Sequence, residues 1–205
     1  MIVNLLIAAA MMLFVAGCAR ITVESRPQSV EATPMANAAV SFAYPVGKTE
    51  TSTQAKDAKD EWFNALDFGS NDHLGEDWNK NSGGNTDCGE PVYAAADGVI
   101  TYAGDSGPGW GNVLIIEHKL AGGEKIQTLY GHMEEMLKTA GEVKKREQIG
   151  KIGNANGRYL CHLHFELRTS DCPMWNQAGG GYSTNRKGWL DPSDFIDEQG
   201  PKHDR

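Results

Sequence analysis

The run Cys161-His162-Leu163-His164-Phe165-Glu166-Leu167-Arg168 sets two imidazoles two residues apart. In an extended chain side chains alternate between faces, so His162, His164 and Glu166 share one face while Leu163, Phe165 and Leu167 share the other. Two neutral imidazole nitrogens side by side are what a first-row metal such as zinc binds. A catalytic zinc usually takes three protein ligands, and a His-x-His pair is also an ordinary polar face of a half-exposed strand, so a further ligand has to come from elsewhere. His73 and Asp77 are four apart, a spacing that puts both on one side of a helix or a strand. Taken alone, that pair is equally a surface Asp–His hydrogen bond. His132 follows Tyr130-Gly131, where the glycine allows close backbone approach.

The elements that must position these residues are short and extended. Gly69, Gly75 and the polar run after Trp78 argue against a long helix around His73, so a loop leading into a short strand is expected there. Strand-like runs are predicted over residues 91–96, 98–103, 112–118 and 125–130, separated by Asp97-Gly98, by the glycine-rich 104–109 and by Ala121-Gly122-Gly123. This spacing predicts a mainly β chain with an antiparallel sandwich or curled sheet. Residues 141–157 are expected to form a hairpin returning to the His-x-His strand. His118, beside Lys119, is expected at the surface. Residues 79–90 and 169–187 read as loops, and Trp189 to Ile196 as the segment that closes the domain.

Length and charge bound the rest. A chain of 205 residues, 40% hydrophobic, suits one domain with appendages. Its formal charge of −8 argues against nucleic acid as the main partner, since phosphate binding needs a basic surface. Leu5 to Gly17 is apolar and uncharged, too short to span a bilayer as a helix but matched to the apolar part of a secretory signal. It ends in Phe14-Val15-Ala16-Gly17-Cys18, which resembles the lipobox of bacterial lipoproteins and implies cleavage before an acylated Cys18. No Lys or Arg precedes the apolar run, and a plain signal peptide or an uncleaved anchor shares the pattern. In lipoproteins a residue such as Ala19 after the cysteine favours the outer membrane over the inner one where the envelope has two. The expected organisation is a signal peptide at 1–17, a lipidated cysteine and flexible tether at 18–40, a domain at 41–196 and a disordered tail at 197–205. With Cys18 reserved for lipid, Cys88, Cys161 and Cys172 allow at most one disulfide, whose pairing stays open. The Cys161 side chain should face away from His162, which argues against its being a metal ligand.

Taken together, His73-x-x-x-Asp77, Gly89 to Val99, Tyr130-Gly131-His132 and His162-x-His164 resemble, in that order, the M23 family of zinc metallopeptidases, the LytM and lysostaphin-like enzymes that cut peptide bonds in bacterial cell walls. The likeness covers residues 41–196. It implies a two-layer antiparallel β assembly with long loops around a zinc groove. It also implies one Zn2+ held by His73, Asp77 and His164, with His132 and His162 as the catalytic pair. Glu166, on the His-x-His face, is a candidate to orient a ligand imidazole, with a surface ion pair as the alternative. The implied protein is a monomeric endopeptidase acting on peptidoglycan peptides, lipid-anchored in the envelope and open to a regulatory partner. The alternative is a catalytically silent module that binds wall peptide or activates another hydrolase. Asn71 where relatives carry arginine, Arg146 where glycine is common, Cys161 where proline is usual and an inserted 79–89 loop depart from the family pattern.

Overall fold

The computed structural model describes residues 39, 41–48, 61–169, 172, 175 and 180–199. The expected signal, the lipidated Cys18 and nearly all of the tether lie outside the described residues. No helix among the described residues is long and apolar enough to cross a membrane.

Among the described residues eleven strands and one α-helix follow in order: β1 Trp62–Leu66, β2 Glu76–Lys80, β3 Pro91–Tyr93, β4 Gly98–Asp105, β5 Asn112–Lys119, β6 Lys125–Met133, β7 Glu135–Met136, β8 Gly141–Val143, β9 Gln148–Lys151, β10 Leu163–Thr169, β11 Trp189–Leu190 and α1 Pro192–Gln199. The large sheet has the order β1-β2-β10-β6-β5-β4-β8, with β11 also on β10, and the small sheet runs β3-β9-β7. All of these pairings are antiparallel. The mainly β, two-sheet antiparallel architecture is therefore as expected.

The alternation in β10 decides which way the core lies. Leu163, Phe165 and Leu167 join Trp78, Tyr130, Leu114, Ile116 and Ile149 in one buried cluster. A smaller cluster of Trp110, Val113, Ile115 and Leu129 forms separately. Alternate residues of β5 and β6 thus go to different clusters, which places apolar packing on both faces of the large sheet. Each fully buried large side chain contributes about 1.5–3 kcal/mol. His164, Glu166 and Arg168 occupy the other register of β10, just after His162, and all three are buried rather than solvated.

Three expectations are corrected. Residues 141–157 are not a hairpin, because β8 pairs with β4 in the large sheet whereas β9 pairs with β3 and β7 in the small one. The turn between them is anchored on Ala94, which accepts the Arg146 N–H at 2.8 Å and donates to the Glu147 carbonyl at 2.9 Å. Arg146 sits at φ 64 in that turn. Its guanidinium donates to the Tyr44 carbonyl at 2.8 Å and lies 4.0 Å above the Tyr93 ring, so the strain of a left-handed arginine comes with a clasp on residues 41–48. The expected tail does not begin as irregular chain at 197, since α1 continues through Gln199, and residues 200–205 lie outside the described residues. Finally, His118 is buried, not at the surface. It has the same parity on β5 as Leu114 and Ile116 and meets Phe42 edge to face, a residue 76 positions away that strand pattern alone does not place.

Cys88 and Cys161 form the disulfide, and Cys172 is buried outside it. The bond joins residues 73 apart in sequence and stabilises the fold by roughly 2–4 kcal/mol.

His118 yields a prediction. Burial, opposed by the Asp97 carbonyl 2.9 Å from Nδ1, pushes its pKa down from 6.5 to about 4. The unfolded chain therefore binds the proton first as pH falls, so this stability is fully present above about 6.5 and is lost on the way down to about 4. Denaturant titrations of metal-stripped protein at pH 7 and pH 4.5 should show a smaller loss for His118→Gln than for the parent. Equal losses would remove His118 from the account.

Candidate active site

The site is built on a row of cross-strand neighbours. In the large sheet Asp77 of β2 stands opposite His164 of β10, and His164 stands opposite Gly131 of β6. Directly opposed residues share a face, so the Asp77 carboxylate and the His164 imidazole meet. Gly131 leaves the third position without a side chain, where an added Cβ would lie 3.4 Å from His164 Cβ. His132, one residue on, would face the opposite side of a regular strand. Its backbone is left-handed instead, at φ 63, and its ring lies 5.4 Å from that of His164. A non-glycine residue in that conformation costs about 1–3 kcal/mol, here at a residue singled out for chemistry.

His73 arrives from outside the sheet. A 3-10 turn, Ser70–Asp72, precedes it, with Asn71 at φ 51. Asparagine tolerates that left-handed position better than most residues, which accounts locally for its presence. The chain returning at 181–183 then grips this loop. Leu74 donates to the Gly181 carbonyl and Ser183 to the Asp72 carbonyl, each at 2.8 Å. Tyr182 bridges His73, with the two rings 5.0 Å apart.

Three donor atoms converge. His73 Nε2 lies 3.0 Å from His164 Nδ1 and 3.2 Å from Asp77 Oδ1, and His164 Nδ1 lies 3.1 Å from Asp77 Oδ1. Zinc with ligands at about 2.0–2.1 Å in a tetrahedron would require edges of roughly 3.3 Å, so this triangle fits the ion. The tautomers fit as well. His164 Nε2 donates to Glu166 Oε1 at 3.0 Å, leaving Nδ1 as the free lone pair. Glu166 is in turn held by the Trp189 indole N–H at 2.9 Å, and it is fully buried, so the surface ion pair considered for it is not its setting.

Two further imidazoles flank the triangle. His132 and His162 have ring centroids 4.7 Å apart, and His162 Nε2 is 3.7 Å from Asp77 Oδ1. Both are tied by Nδ1 to a backbone carbonyl, His132 to Trp110 at 3.0 Å and His162 to Leu160 at 2.9 Å. A carbonyl can only accept, so each Nδ1 carries a proton and each neutral ring keeps its lone pair on Nε2.

Charge in the metal-free site follows from these contacts. Burial pushes the Asp77 carboxyl up, but hydrogen bonds from His164 and His73 outweigh it and hold the group well below the carboxylate range. Burial works against a charged His164 too, and its bonds to Asp77 and Glu166 prevail, raising it to about 9. His132 has no such partner. Burial first, then repulsion from His164 and His162, push it down to about 3.

The five residues singled out from sequence for metal binding and catalysis therefore lie together. The pattern of a peptidase family accompanies this geometry: the model of Peptidase family M23 matches residues 72–176, just over half of the chain. The chain belongs to peptidase family M23. Among curated proteins it is 41% identical over 86 residues to the DD-carboxypeptidase/endopeptidase Mpg of Neisseria meningitidis, a match covering 42% of this chain and 19% of that protein. It is 36% identical over 81 residues to the lipoprotein NlpD of Yersinia enterocolitica, covering 39% of this chain and 78% of that sequence. The chain thus spans about a fifth of the length of the Mpg relatives. Among solved structures, lysostaphin from Staphylococcus simulans aligns with TM-score 0.45 and 26% identity, over 62% of this chain and 45% of that one.

Sequence reasoning missed Trp110, Leu160, Trp189 and Gly181. The first two act through carbonyl oxygens, which carry no residue signature. Trp110 does sit in the glycine-rich stretch Gly107 to Gly111, an unusual place for an indole. Gly181 lies over the His164 ring, where an added Cβ would come 2.4 Å from Cε1. Zinc titration against a competing chelator should show His164→Ala losing the site, Glu166→Gln weakening it roughly 10–100-fold and Gly181→Ala disturbing it at unchanged charge. Parent-like zinc affinity in Glu166→Gln would deny Glu166 an orienting role.

Proposed function

We propose that this protein is a zinc-dependent endopeptidase that hydrolyses peptide bonds in bacterial peptidoglycan during cell-wall remodelling. The observation that carries this reading is the convergence of the His73, Asp77 and His164 donor triangle with two imidazoles whose Nε2 lone pairs are free. Membership of a peptidase family and the endopeptidase name of one relative support it.

His73, Asp77 and His164 would hold the metal. When bound there, zinc supplies Lewis acidity to a peptide carbonyl and lowers the pKa of a water to about 7. His162, with Nδ1–H on the Leu160 carbonyl, presents Nε2 as the base that takes a proton from the attacking water. His132, fixed in the same way on Trp110 and with its ring centroid 4.7 Å from that of His162, receives that proton from His162 on its free Nε2 and passes it to the departing amine, so that both rings end neutral. Its depressed pKa makes it a ready donor once protonated. Glu166 and Trp189 hold the His164 ring in the orientation that leaves Nδ1 for the ion.

The same reading places the protein in the envelope, exported and held by lipid on Cys18, with the outer membrane as its site in a two-membrane cell. Relatives named as lipoproteins support this placement. With a formal charge of −8 the chain has little electrostatic attraction to an anionic wall, so the anchor and tether supply its localisation.

Mass spectrometry of cross-linked peptidoglycan fragments after incubation with zinc-loaded protein tests the reaction. The parent should convert cross-linked dimers to monomers, and His132→Ala should bind zinc as tightly but cut at least about 100-fold more slowly. Dimers left intact by the parent, across several wall chemistries, would favour the silent binding module.

A further inference from the structure

The ladder that fixes His164 stops short of His162. β10 begins at Leu163, opposite Trp78, and its pairing with β6 begins at His164. His162 has one isolated bridge, to Gly153, whose carbonyl accepts its N–H at a long 3.3 Å. A proton acceptor that must meet a water to within a few tenths of an ångström needs firmer support than this.

That support comes from the residue before it. The Cys161 side chain is bonded to Cys88. Its N–H donates to Asn85 Oδ1 at 3.0 Å, and its carbonyl faces Asn79 Nδ2 at 3.4 Å. Asp87, buried in the same loop, accepts from Asn79 Nδ2 at 3.0 Å and from the Lys80 N–H at 3.1 Å. The side chain and both backbone polar groups of Cys161 are therefore all committed to residues 79–88. Beyond it, the Leu160 carbonyl that sets the His162 tautomer belongs to a residue 61% exposed, which packing does not hold.

We infer that the disulfide-tied loop of residues 79–88 is a positioning device for His162: by clamping Cys161 it keeps the Leu160 carbonyl against Nδ1 and turns Nε2 toward Asp77. This rests on the role proposed for His162. Cys88, Cys161 and Asn85 are positioning residues, and none of the three supplies a donor atom or a position in the β2–β10 register. The three donor atoms do not depend on it, because His164 and Asp77 are held by the β2–β10 pairing and His73 by residues 181–183. Base and donor triangle are thus held by different bonds, which meet where Asn79 and Lys80 end β2.

The test compares zinc-loaded parent protein with its disulfide closed, the same protein reduced by a phosphine, Cys88→Ser and Asn85→Ala. Long-range nitrogen NMR reads the imidazole tautomers, chelator competition reads zinc affinity, and turnover on a cross-linked muropeptide reads kcat and KM. Opening the disulfide should leave zinc affinity and the His164 signals unchanged, convert His162 from the Nδ1–H form to a mixture, and lower kcat roughly ten- to a hundredfold at similar KM. Asn85→Ala, which keeps the covalent tie, should move the same signals less far. An unchanged His162 tautomer after opening would overturn the inference, as would parallel loss of zinc and of the far-ultraviolet dichroism, which marks general loosening. If the parent cuts no peptide, the endopeptidase reading fails by itself, and the tautomer and zinc measurements still decide the positioning role.

Discussion

One carboxylate oxygen organises the centre of this molecule. Asp77 Oδ1 lies 3.1 Å from His164, 3.2 Å from His73 and 3.7 Å from His162, in surroundings from which water is largely excluded. An ionised carboxyl there is tolerable only because imidazoles surround it, and the imidazoles in turn need either its charge or a cation among them. The arrangement depends on strand register. Asp77 faces His164 and His164 faces Gly131, so a slip of one residue would turn carboxylate and imidazole to opposite faces and put a side chain where the glycine now leaves room.

Around that centre the buried polar groups are arranged as supports. Glu166 receives the His164 N–H and the Trp189 indole N–H, so β11, the last strand, steadies the His164 ring on β10. On the neighbouring strand Glu76 receives the Trp78 indole and the backbone N–H of Ser193 at the start of α1. Burial pushes the Glu76 carboxyl up to about 8, so at neutral pH it is held largely as the acid rather than as a second anion beside Asp77. The closing strand thereby fixes a residue of the site, and the helix caps the opposite face of β2. The same segments also add apolar packing, through Ile196, Phe195 and Leu190.

The strained residues fall where the chain departs from regular alternation. His132 at φ 63 escapes the face that a regular strand would give it, and Trp110 accepts from both its N–H and its ring. Asn71 at φ 51 and Arg146 at φ 64 occupy turns, one next to a donor residue and one clasping the segment 41–48. Small residues do the opposite work. Gly181 and Gly131 bring backbone against the His164 ring on two sides, leaving it little room to rotate.

The order of the motifs, through their resemblance to a peptidase family, implied a set of five residues suited to a metal and to acid–base chemistry, and by itself the sequence determined a mainly β chain, the central strands β4 to β6 and the two faces of β10. These are local matters of period, turn composition and donor type, legible because alternation and side-chain chemistry do not depend on the rest of the fold. The tertiary structure decided what depends on distant partners. It put His118 in the core under Phe42, split residues 141–157 between two sheets, chose Cys88 as the partner of Cys161, and assigned the tautomers of three histidines through Glu166 and two backbone carbonyls. A carbonyl oxygen is the same in every residue, so no sequence pattern announces which one will hold a proton in place; only the folded chain brings it within 3.0 Å.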